Sequence, residues 1–180
     1  MELIKTDIED VLLIQPKSVC RRAWYFLNPF DLIISFPNSA TRLISAMDSD
    51  SFGKGVLRGL HFQNPPYEQG KLVRVIKGAV LDVAVDIRPE SPTYGKWVSY
   101  ELNEKNKTMM WIPPGFAHGF VTLMENSIFQ YKCTNYYNKE SEGSIRWNDP
   151  DINIDWKTKN PIVSGKDKVA PLFKNFESQF

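Results

Sequence analysis

Residues 71–88 read KLVRVIKGAVLDVAVDIR and carry the longest regular pattern in the chain. Apolar residues alternate with other residues on both sides of Gly78, which predicts two β-strands joined by a turn at that glycine. On the second strand Asp82 and Asp86 share one face, because side chains an even number of residues apart point the same way. A strand face that carries carboxylates is expected to meet solvent or the mouth of a barrel.

Three further segments show the patterns of strands. They read KWVSYELN at 96–103, TMMWIPPGFAHGFVTL at 108–123 and NSIFQYKCTNYY at 126–137. Short strands separated by proline and glycine turns are typical of a β-sandwich or a β-barrel. The chain from about residue 160 onward is expected to be irregular or briefly helical, and residues 18–54 show no clean period.

The composition is that of a globular domain. The 180 residues suffice for a single compact core, and 42% of them are hydrophobic against 24% charged. A net charge of +1 excludes the basic surface typical of nucleic-acid-binding proteins but leaves room for a small anionic ligand. We therefore predict one domain over residues 1–180 with no nucleic-acid partner.

The N-terminus and the cysteines indicate where the protein works. Acidic residues stand in the opening stretch MELIKTDIEDVLLIQPK, where a signal peptide needs a basic and then an apolar run. No apolar segment approaches the roughly 20 residues of a membrane-spanning helix. Cys20 and Cys133 lack the spacing of a metal or redox pair and are expected to be reduced. These features predict a cytoplasmic protein with no membrane partner.

The two histidines, His61 and His118, decide between a metal site and proton-transfer chemistry. A metal site of the cupin type needs two or three histidines and a carboxylate, with a second histidine two residues after His61. Gln63 occupies that position, so no metal cofactor is predicted. His61 is then either a hydrogen-bonded structural histidine or a group that takes and returns a proton near neutral pH. The neighbours Arg58 and Lys71 favour the second interpretation, because such residues can line one concave face of a sheet.

Six motifs occur in order over roughly residues 54–172. They are GVLRGLHFQ, QGKLVRVIKGAVLDVAVDIRPESPTYGKW, WIPPGFAHGF, YKCTNYY, IRWNDPDINIDW and SGKD. Together they resemble the dTDP-4-dehydrorhamnose 3,5-epimerase family, and residues 1–17 resemble its opening strand. The resemblance implies an all-β fold, a cupin-like double-stranded β-helix (jelly-roll) barrel with short peripheral helices. It also implies a homodimer whose N-terminal strand crosses to the partner, and no metal or redox cofactor.

The substrate of this family, a nucleotide-linked 4-keto-6-deoxyhexose, explains the catalytic residues that the resemblance implies. A ketone at C4 acidifies the protons on C3 and C5. Inversion then needs a base on one face, an acid on the other, and a cation near the enolate oxygen. By resemblance the catalytic residues are the base His61, the acid Tyr131, the imidazole-orienting carboxylate Asp167, the oxyanion-facing Lys71 and its partner Asp82.

Substrate-binding residues follow from the same resemblance. Arg58 resembles a ligand of the diphosphate, suited by its planar guanidinium. His118 resembles a contact to sugar or phosphate, and Tyr137 resembles the aromatic residue that stacks on the nucleobase. Glu142 and Lys166 match further substrate contacts.

The N-terminal third departs from the family pattern. The family shows an Asp-x-Arg-Gly motif followed by aromatic residues and a glutamate, where this chain has CRRAWYFLN at 20–28. With a one-residue deletion Arg22 keeps the arginine and Tyr25 an aromatic residue, while Leu27 replaces the glutamate. Without the deletion Ala23 takes the place of the arginine. We prefer the first alignment, which preserves the spacing to GVLRG and makes Arg22 and Tyr25 substrate contacts.

A second departure lies in the segment that holds the nucleotide in the family. Its Gln-Asp-Asn triplet corresponds to Ala46, Met47 and Asp48, of which Asp48 is predicted to contact the substrate. Ala46 has no hydrogen-bonding side chain, and Asp48 adds negative charge near a pyrophosphate. Three interpretations stay open: weak nucleotide affinity or another carrier, a related sugar or inversion of only one centre, and a family member that is losing its function.

The sequence thus predicts a nucleotide-sugar epimerase that inverts C3 and C5 of dTDP-4-keto-6-deoxy-D-glucose on the route to dTDP-L-rhamnose for surface polysaccharide. One alternative is an epimerase that inverts a single centre on a different nucleotide sugar. Another is a catalytically silent protein that binds a nucleotide sugar. The quartet His61, Lys71, Tyr131 and Asp167 favours the enzyme, because a binding module has no need of all four.

Overall fold

The computed structural model describes residues 2–16, 33–36, 39–43 and 45–180. Within these ranges the regular structure is almost entirely β-strand, which confirms the all-β prediction. Besides the strands, the chain has a four-residue helix α1 (Gly165–Lys168) and one 3-10 turn (Phe173–Asn175). Both lie in the C-terminal tail, where brief helical structure was expected.

Two large sheets and one small hairpin make up the fold. The first sheet has the strand order β1-β2-β10-β7-β12-β5, with β1 (Glu2–Lys5), β2 (Leu12–Gln15), β5 (Ser45–Phe52), β7 (Lys71–Lys77), β10 (Met109–Ile112) and β12 (Ser127–Cys133). The second has the order β13-β6-β11-β8-β9, with β6 (Val56–Gln63), β8 (Ala79–Asp86), β9 (Trp97–Asn103), β11 (Phe116–Thr122) and β13 (Glu142–Ser144). Strand β14 (Ile162–Val163) pairs with β6 and is parallel to it, whereas β3 (Ile33–Phe36) and β4 (Ser39–Arg42) pair with each other.

The chain crosses from the first sheet to the second at Gly78. The two strands predicted within residues 71–88 are present, yet β7 pairs with β10 and β12 whereas β8 pairs with β9 and β11. Gly78 adopts a φ of +79°, and a Cβ at this position would stand 2.4 Å from Oγ of Ser127. A glycine is therefore required at the crossing for both conformation and space.

The inner faces of the two sheets enclose the main core. Val73 and Phe129 from the first sheet pack there against Val80, Leu102 and Phe120 from the second. The face of β8 that carries Asp82 and Asp86 points into this interior rather than to solvent, and both carboxylates are fully buried. The expectation that this face meets solvent or the mouth of a barrel is therefore wrong, because the face lies in the interior between the sheets.

The outer face of the second sheet is buried as well. Leu81, Val83 and Val85 of β8 pack in a second apolar cluster, which the C-terminal segment covers with Trp156, Phe173, Phe176 and Phe180 among others. Strand β8 is consequently buried along its whole length. No helix of the described residues is long and apolar enough to cross a membrane.

Candidate active site

A β-bulge in β6 brings Arg58 and His61 to the same face of the sheet. Residues three apart on a regular strand point to opposite faces. Here the pairing with β11 shifts so that Gly59 and Leu60 stand opposite Gly119 alone. Gly59 has a φ of +133°, and a Cβ on it would lie 2.6 Å from the Cα of Gly119. The bulge therefore depends on two glycines and turns both polar side chains toward one cavity, which they line.

His61 forms a hydrogen-bonded pair with Asp167. Nε2 of His61 lies 2.7 Å from Oδ1 of Asp167, and the imidazole side chain keeps 29% of its surface exposed whereas the carboxylate keeps 1%. Because the ionised carboxylate can only accept, Nε2 donates the proton, and in the neutral ring Nδ1 then holds the lone pair. The pair thus presents a basic nitrogen on a ring whose orientation is fixed by a buried carboxylate.

Contacts with His61, Ser164 and Gly59 hold Asp167 at the start of α1. Ser164 caps the helix by accepting the Asp167 amide proton at 3.1 Å, and Gly59 N–H donates to Oδ2 of Asp167 at 3.3 Å. Burial alone would raise the pKa of the Asp167 carboxyl. The hydrogen bond and charge of His61, with the contacts from Ser164 and Gly59, outweigh burial and hold that pKa below its ordinary value.

An inner cavity of about 290 Å³ opens beside this pair. Its polar lining comes from Arg58, His61, Lys71, His118 and Tyr131, and its apolar lining from Gly119, Phe120 and Phe129. Five residues proposed from the resemblance therefore meet at one cavity, although they come from four strands. Phe120 and Phe129 were not predicted, because nothing in their local sequence separates a lining phenylalanine from a core one.

His118 and Asp82 form a second, more deeply buried pair. Nε2 of His118 lies 2.8 Å from Oδ1 of Asp82, and the histidine side chain is 8% exposed. Burial lowers the pKa of His118, although Asp82 acts in the opposite direction. Asp82 was expected to partner Lys71. Its hydrogen bond joins His118 instead, while its negative charge still raises the pKa of Lys71.

Lys71 and Tyr131 lie on the paired strands β7 and β12. Nζ of Lys71 lies 3.5 Å from the carbonyl oxygen of His61, and burial lowers the pKa of the lysine despite the nearby negative charges. Burial likewise raises the pKa of Tyr131, so its hydroxyl stays protonated at neutral pH. The cavity thus combines an imidazole, a lysine amine and a protonated phenol.

An outer cavity of about 360 Å³ shares His61, Lys71 and Tyr131 with the inner one and continues toward the surface. Its other lining residues include Gln63, Gln69, Cys133, Tyr136, Tyr137 and Glu142. Of these, only Tyr137 and Glu142 were predicted as site residues. Cys133 is buried.

Three predicted binding residues form one network at the rim of the outer cavity. The hydroxyl of Tyr137 donates to Oε2 of Glu142 at 3.0 Å, and Nζ of Lys166 lies 2.5 Å from Oε1 of the same carboxylate. Burial would raise the pKa of Glu142, but the hydrogen bonds from Lys166 and Tyr137 hold it below its ordinary value. Lys166 immediately precedes Asp167 in α1, so this network and the His61–Asp167 pair are joined by adjacent residues of one short helix.

The remaining predicted residues belong to the N-terminal third. Arg22, Tyr25 and Leu27 lie outside the described residues. Ala46 and Asp48 lie on β5, whose backbone pairs with β12 so that Met47 stands opposite Tyr131. Among the residues that the structure describes, no group of three or more His, Cys, Asp or Glu side chains could hold a metal ion.

Comparison with known proteins gives a consistent family assignment. A sequence model of dTDP-4-dehydrorhamnose 3,5-epimerase matches residues 5–175. The epimerase of that name from Salmonella typhimurium is 49% identical over 174 residues, which cover 96% of this chain and 95% of the relative. The corresponding enzyme from Shigella flexneri is 47% identical over 168 residues, 93% of each chain.

A solved structure agrees with the sequence relatives. The crystal structure of dTDP-6-deoxy-D-glucose-3,5-epimerase from Legionella pneumophila in complex with dTDP-4-keto-L-rhamnose superposes with a TM-score of 0.84 at 41% identity, covering 98% of this chain and 94% of that one. The two sheets described above are therefore the cupin-like jelly roll that the resemblance implied. The chain belongs to the dTDP-4-dehydrorhamnose 3,5-epimerase family.

Proposed function

We propose that this protein is a nucleotide-sugar epimerase that inverts C3 and C5 of dTDP-4-keto-6-deoxy-D-glucose on the route to dTDP-L-rhamnose. The observation that carries the proposal is the His61–Asp167 pair, which opens onto a cavity also lined by Lys71 and Tyr131. The names of the Salmonella and Shigella relatives and the ligand of the Legionella enzyme support the choice of substrate.

His61 begins the reaction by taking the proton from C3 or C5. The C–H electron pair moves into the ring as the C4 carbonyl becomes an enolate, and the imidazolium that forms is stabilised by Asp167. Lys71, as an ammonium, balances the negative charge on the enolate oxygen. Tyr131 then delivers its hydroxyl proton to the opposite face of the carbon. Water restores the tyrosine proton and removes the proton from His61, so only the configuration of the sugar changes.

The base of the substrate lies over the outer cavity, and the diphosphate reaches the inner cavity that Arg58 and His118 line. Arg58 binds the diphosphate through its planar guanidinium, and His118 contacts sugar or phosphate. Tyr137, which is 60% exposed, stacks on the base, with Glu142 and Lys166 beside it. Arg22, Tyr25 and Asp48 complete the binding set on the strength of the family resemblance.

The assembly proposed with this function is a cytoplasmic homodimer. Strand β1 lies at the edge of the first sheet with all four residues exposed, and Leu3 and Ile4 keep 53% and 41% of their surface exposed. An exposed apolar edge strand is ordinarily paired or covered, and a second copy of the chain would do so. Cys20 and Cys133 lack the spacing of a metal or redox pair, which accords with a reducing compartment.

The test is incubation of the purified protein with dTDP-4-keto-6-deoxy-D-glucose in heavy water, followed by NMR of the sugar. Deuterium at both C3 and C5 with inversion of both centres is expected. Label at one centre alone would indicate an epimerase that inverts a single carbon. Binding without any label would indicate a silent sugar-binding protein.

A variant assigns the labelling to the proposed base. His61→Ala should abolish deuterium uptake while nucleotide binding stays measurable, because the ring contributes the proton transfer and Arg58 and Tyr137 contribute the binding. Normal uptake by this variant would remove His61 from the role of base.

A further inference from the structure

Gln63 stands where a metal-binding barrel of this type would carry a second histidine. Its side chain forms hydrogen bonds to main-chain groups instead of binding a metal. It lies on β6 two residues after His61, so both side chains occupy one face of the strand. Gln63 is 4% exposed, so both the NH2 and the C=O of its side-chain amide need hydrogen-bond partners inside the protein.

The partners of Gln63 are main-chain groups of two loops. Its Nε2 donates to the carbonyl oxygen of Tyr67 at 2.5 Å and to that of Tyr136 at 3.2 Å. Its Oε1 accepts the amide proton of Asn138 at 2.7 Å. The carbonyl of Tyr136 and the amide of Asn138 belong to the two peptide groups that flank Tyr137. One buried side chain therefore holds the backbone on both sides of that tyrosine.

Apart from the hydrogen bond of its hydroxyl to Glu142, Tyr137 depends on its loop for its position. It sits in the tyrosine loop, residues 134–141, which connects β12 to β13 and contains no regular secondary structure. Its ring is 60% exposed, and the neighbouring ring of Tyr136 is 66% exposed. A half-exposed ring can stack on a ligand with little entropic loss only if its backbone is already ordered. Gln63 supplies that order from inside the barrel.

We propose that Gln63 is a positioning residue for nucleotide binding, which acts by fixing the main chain on either side of Tyr137 so that the ring is ready to stack on the base. This inference rests on the proposed function. It predicts a defect confined to binding, because Gln63 touches the loop through backbone groups while the His61–Asp167 pair has its own supports in Ser164 and Gly59.

The test compares Gln63→Met with Gln15→Met. Gln15 makes two side-chain hydrogen bonds at the end of β2, to the carbonyl of Asn106 and from the hydroxyl of Thr108, and it lines neither cavity. Gln63→Met should raise the dissociation constant for dTDP and the KM about tenfold, the order of one lost base–aromatic stack, with kcat changed by less than about twofold. Gln15→Met should change none of the three.

Hydrogen exchange measures the anchoring itself. Amides of residues 135–141 should exchange faster in Gln63→Met than in the parent, while those of β8 should not change. Gln63→Glu keeps the acceptor for Asn138 but loses the donor to two carbonyls, so it should give a defect in the same direction and provides a second variant if the methionine variant folds poorly. Unchanged exchange in both variants, or faster exchange with unchanged dTDP affinity, would overturn the proposal.

A double substitution shows whether Gln63 acts through the tyrosine. In a Tyr137→Ala background the stacking ring is already gone, so adding Gln63→Met should raise KM no further. A full additional increase would refute the proposed route. If the parent protein itself binds no dTDP, the proposed function fails. If the parent binds dTDP and Gln63→Met binds it equally well, only the role of Gln63 fails.

Discussion

Tyr131 and Tyr100 are two tyrosines in nearly the same setting. Both pack against the apolar core between the sheets, and burial raises the pKa of each. Only Tyr131 lines the two cavities. Position, rather than an unusual acidity, therefore distinguishes the proposed catalytic acid, and the chain provides its own matched control.

Tyr131→Phe should lower kcat for epimerisation about 100-fold, within the range of a lost general acid, whereas Tyr100→Phe should change it less than about twofold. Because His61 remains, deuterium should still enter C3 and C5 by abstraction and return on one face, without inversion. The measurement is the ratio of inverted product to labelled substrate in heavy water. An equal loss of labelling and inversion in Tyr131→Phe would instead assign Tyr131 a structural role.

At the level of single residues, the sequence predicts which residues line the site better than it predicts their hydrogen-bond partners. The sequence predicts His61, Lys71, Tyr131 and His118 as site residues, and the four side chains line one cavity. The partner of Asp82 could not be deduced, because it depends on how β8 and β11 are aligned across the sheet. Spacing along the chain says nothing about that alignment.

The helix α1 shows how a very short element can be fixed by its contacts. Four residues cannot form a stable helix alone, since nucleation outweighs the few hydrogen bonds formed. Here Ser164 caps the first turn, the preceding β14 pairs with β6, and Asp167 bonds to His61 and Gly59. The helix places Asp167 correctly only while these contacts persist.

Ser164→Ala should remove the cap, lower the free energy of unfolding by about 1 kcal/mol and reduce kcat about tenfold, because Asp167 loses part of its support. Ser164→Thr keeps a capping hydroxyl and should retain most of both quantities. Denaturant unfolding and steady-state kinetics of the two variants check this. A kcat unaffected by Ser164→Ala would mean that His61 and Gly59 suffice to hold the carboxylate.

For the strands, the sequence predicts where they occur but not where each one ends. The segment 108–123 is two strands, because Pro113 and Pro114 end β10 in the first sheet before the chain enters β11 in the second. The segment 126–137 stops at Cys133, after which Thr134 exchanges hydrogen bonds with Gly70 and begins the tyrosine loop. The end at Cys133 follows from contacts with the distant Gly70, which alternation along one strand cannot reveal.

Over the whole molecule, the main difference from the sequence prediction is that both faces of the second sheet are buried. A strand with alternating carboxylates suggests one wet face, yet the C-terminal segment covers the outer face of β8 and the first sheet covers the inner one. The carboxylates then need internal partners. Asp86 finds them in Arg88, Ser91 and Thr93, and Arg88 also reaches Asp10 at 2.9 Å. The prediction of a single domain over residues 1–180 stays a prediction.

The stability of the whole fold in acid should depend on Asp86. Burial would raise its pKa, but the hydrogen bonds from Arg88, Ser91 and Thr93 hold it below the ordinary value of 3.8. The stabilisation from a lowered carboxyl pKa is complete above the unfolded-state value and is lost as pH falls through the folded-state value. Asp86→Asn should therefore lower the free energy of unfolding by about 2 kcal/mol at pH 7. The difference between this variant and the parent should shrink as the pH falls below 3.8.

Asp155→Asn is the matched control for this prediction. Asp155 also has a lowered pKa, from its hydrogen bonds with Lys157, but both side chains are largely exposed. An exposed ion pair contributes little, so this variant should leave the free energy of unfolding essentially unchanged at any pH. Urea unfolding at several pH values measures both variants. A constant difference between Asp86→Asn and the parent across the acid range would contradict the assignment.

The bulge at Gly59 and Leu60 has a consequence for recombining enzymes of this family. Whether Arg58 and His61 share a face is decided by one extra residue in β6, matched against the single residue Gly119. A crossover between two parental genes inside this strand must preserve that residue count, or every downstream side chain exchanges inside for outside. Hybrid libraries with junctions between codons 58 and 61 should yield active clones only when no codon is gained or lost.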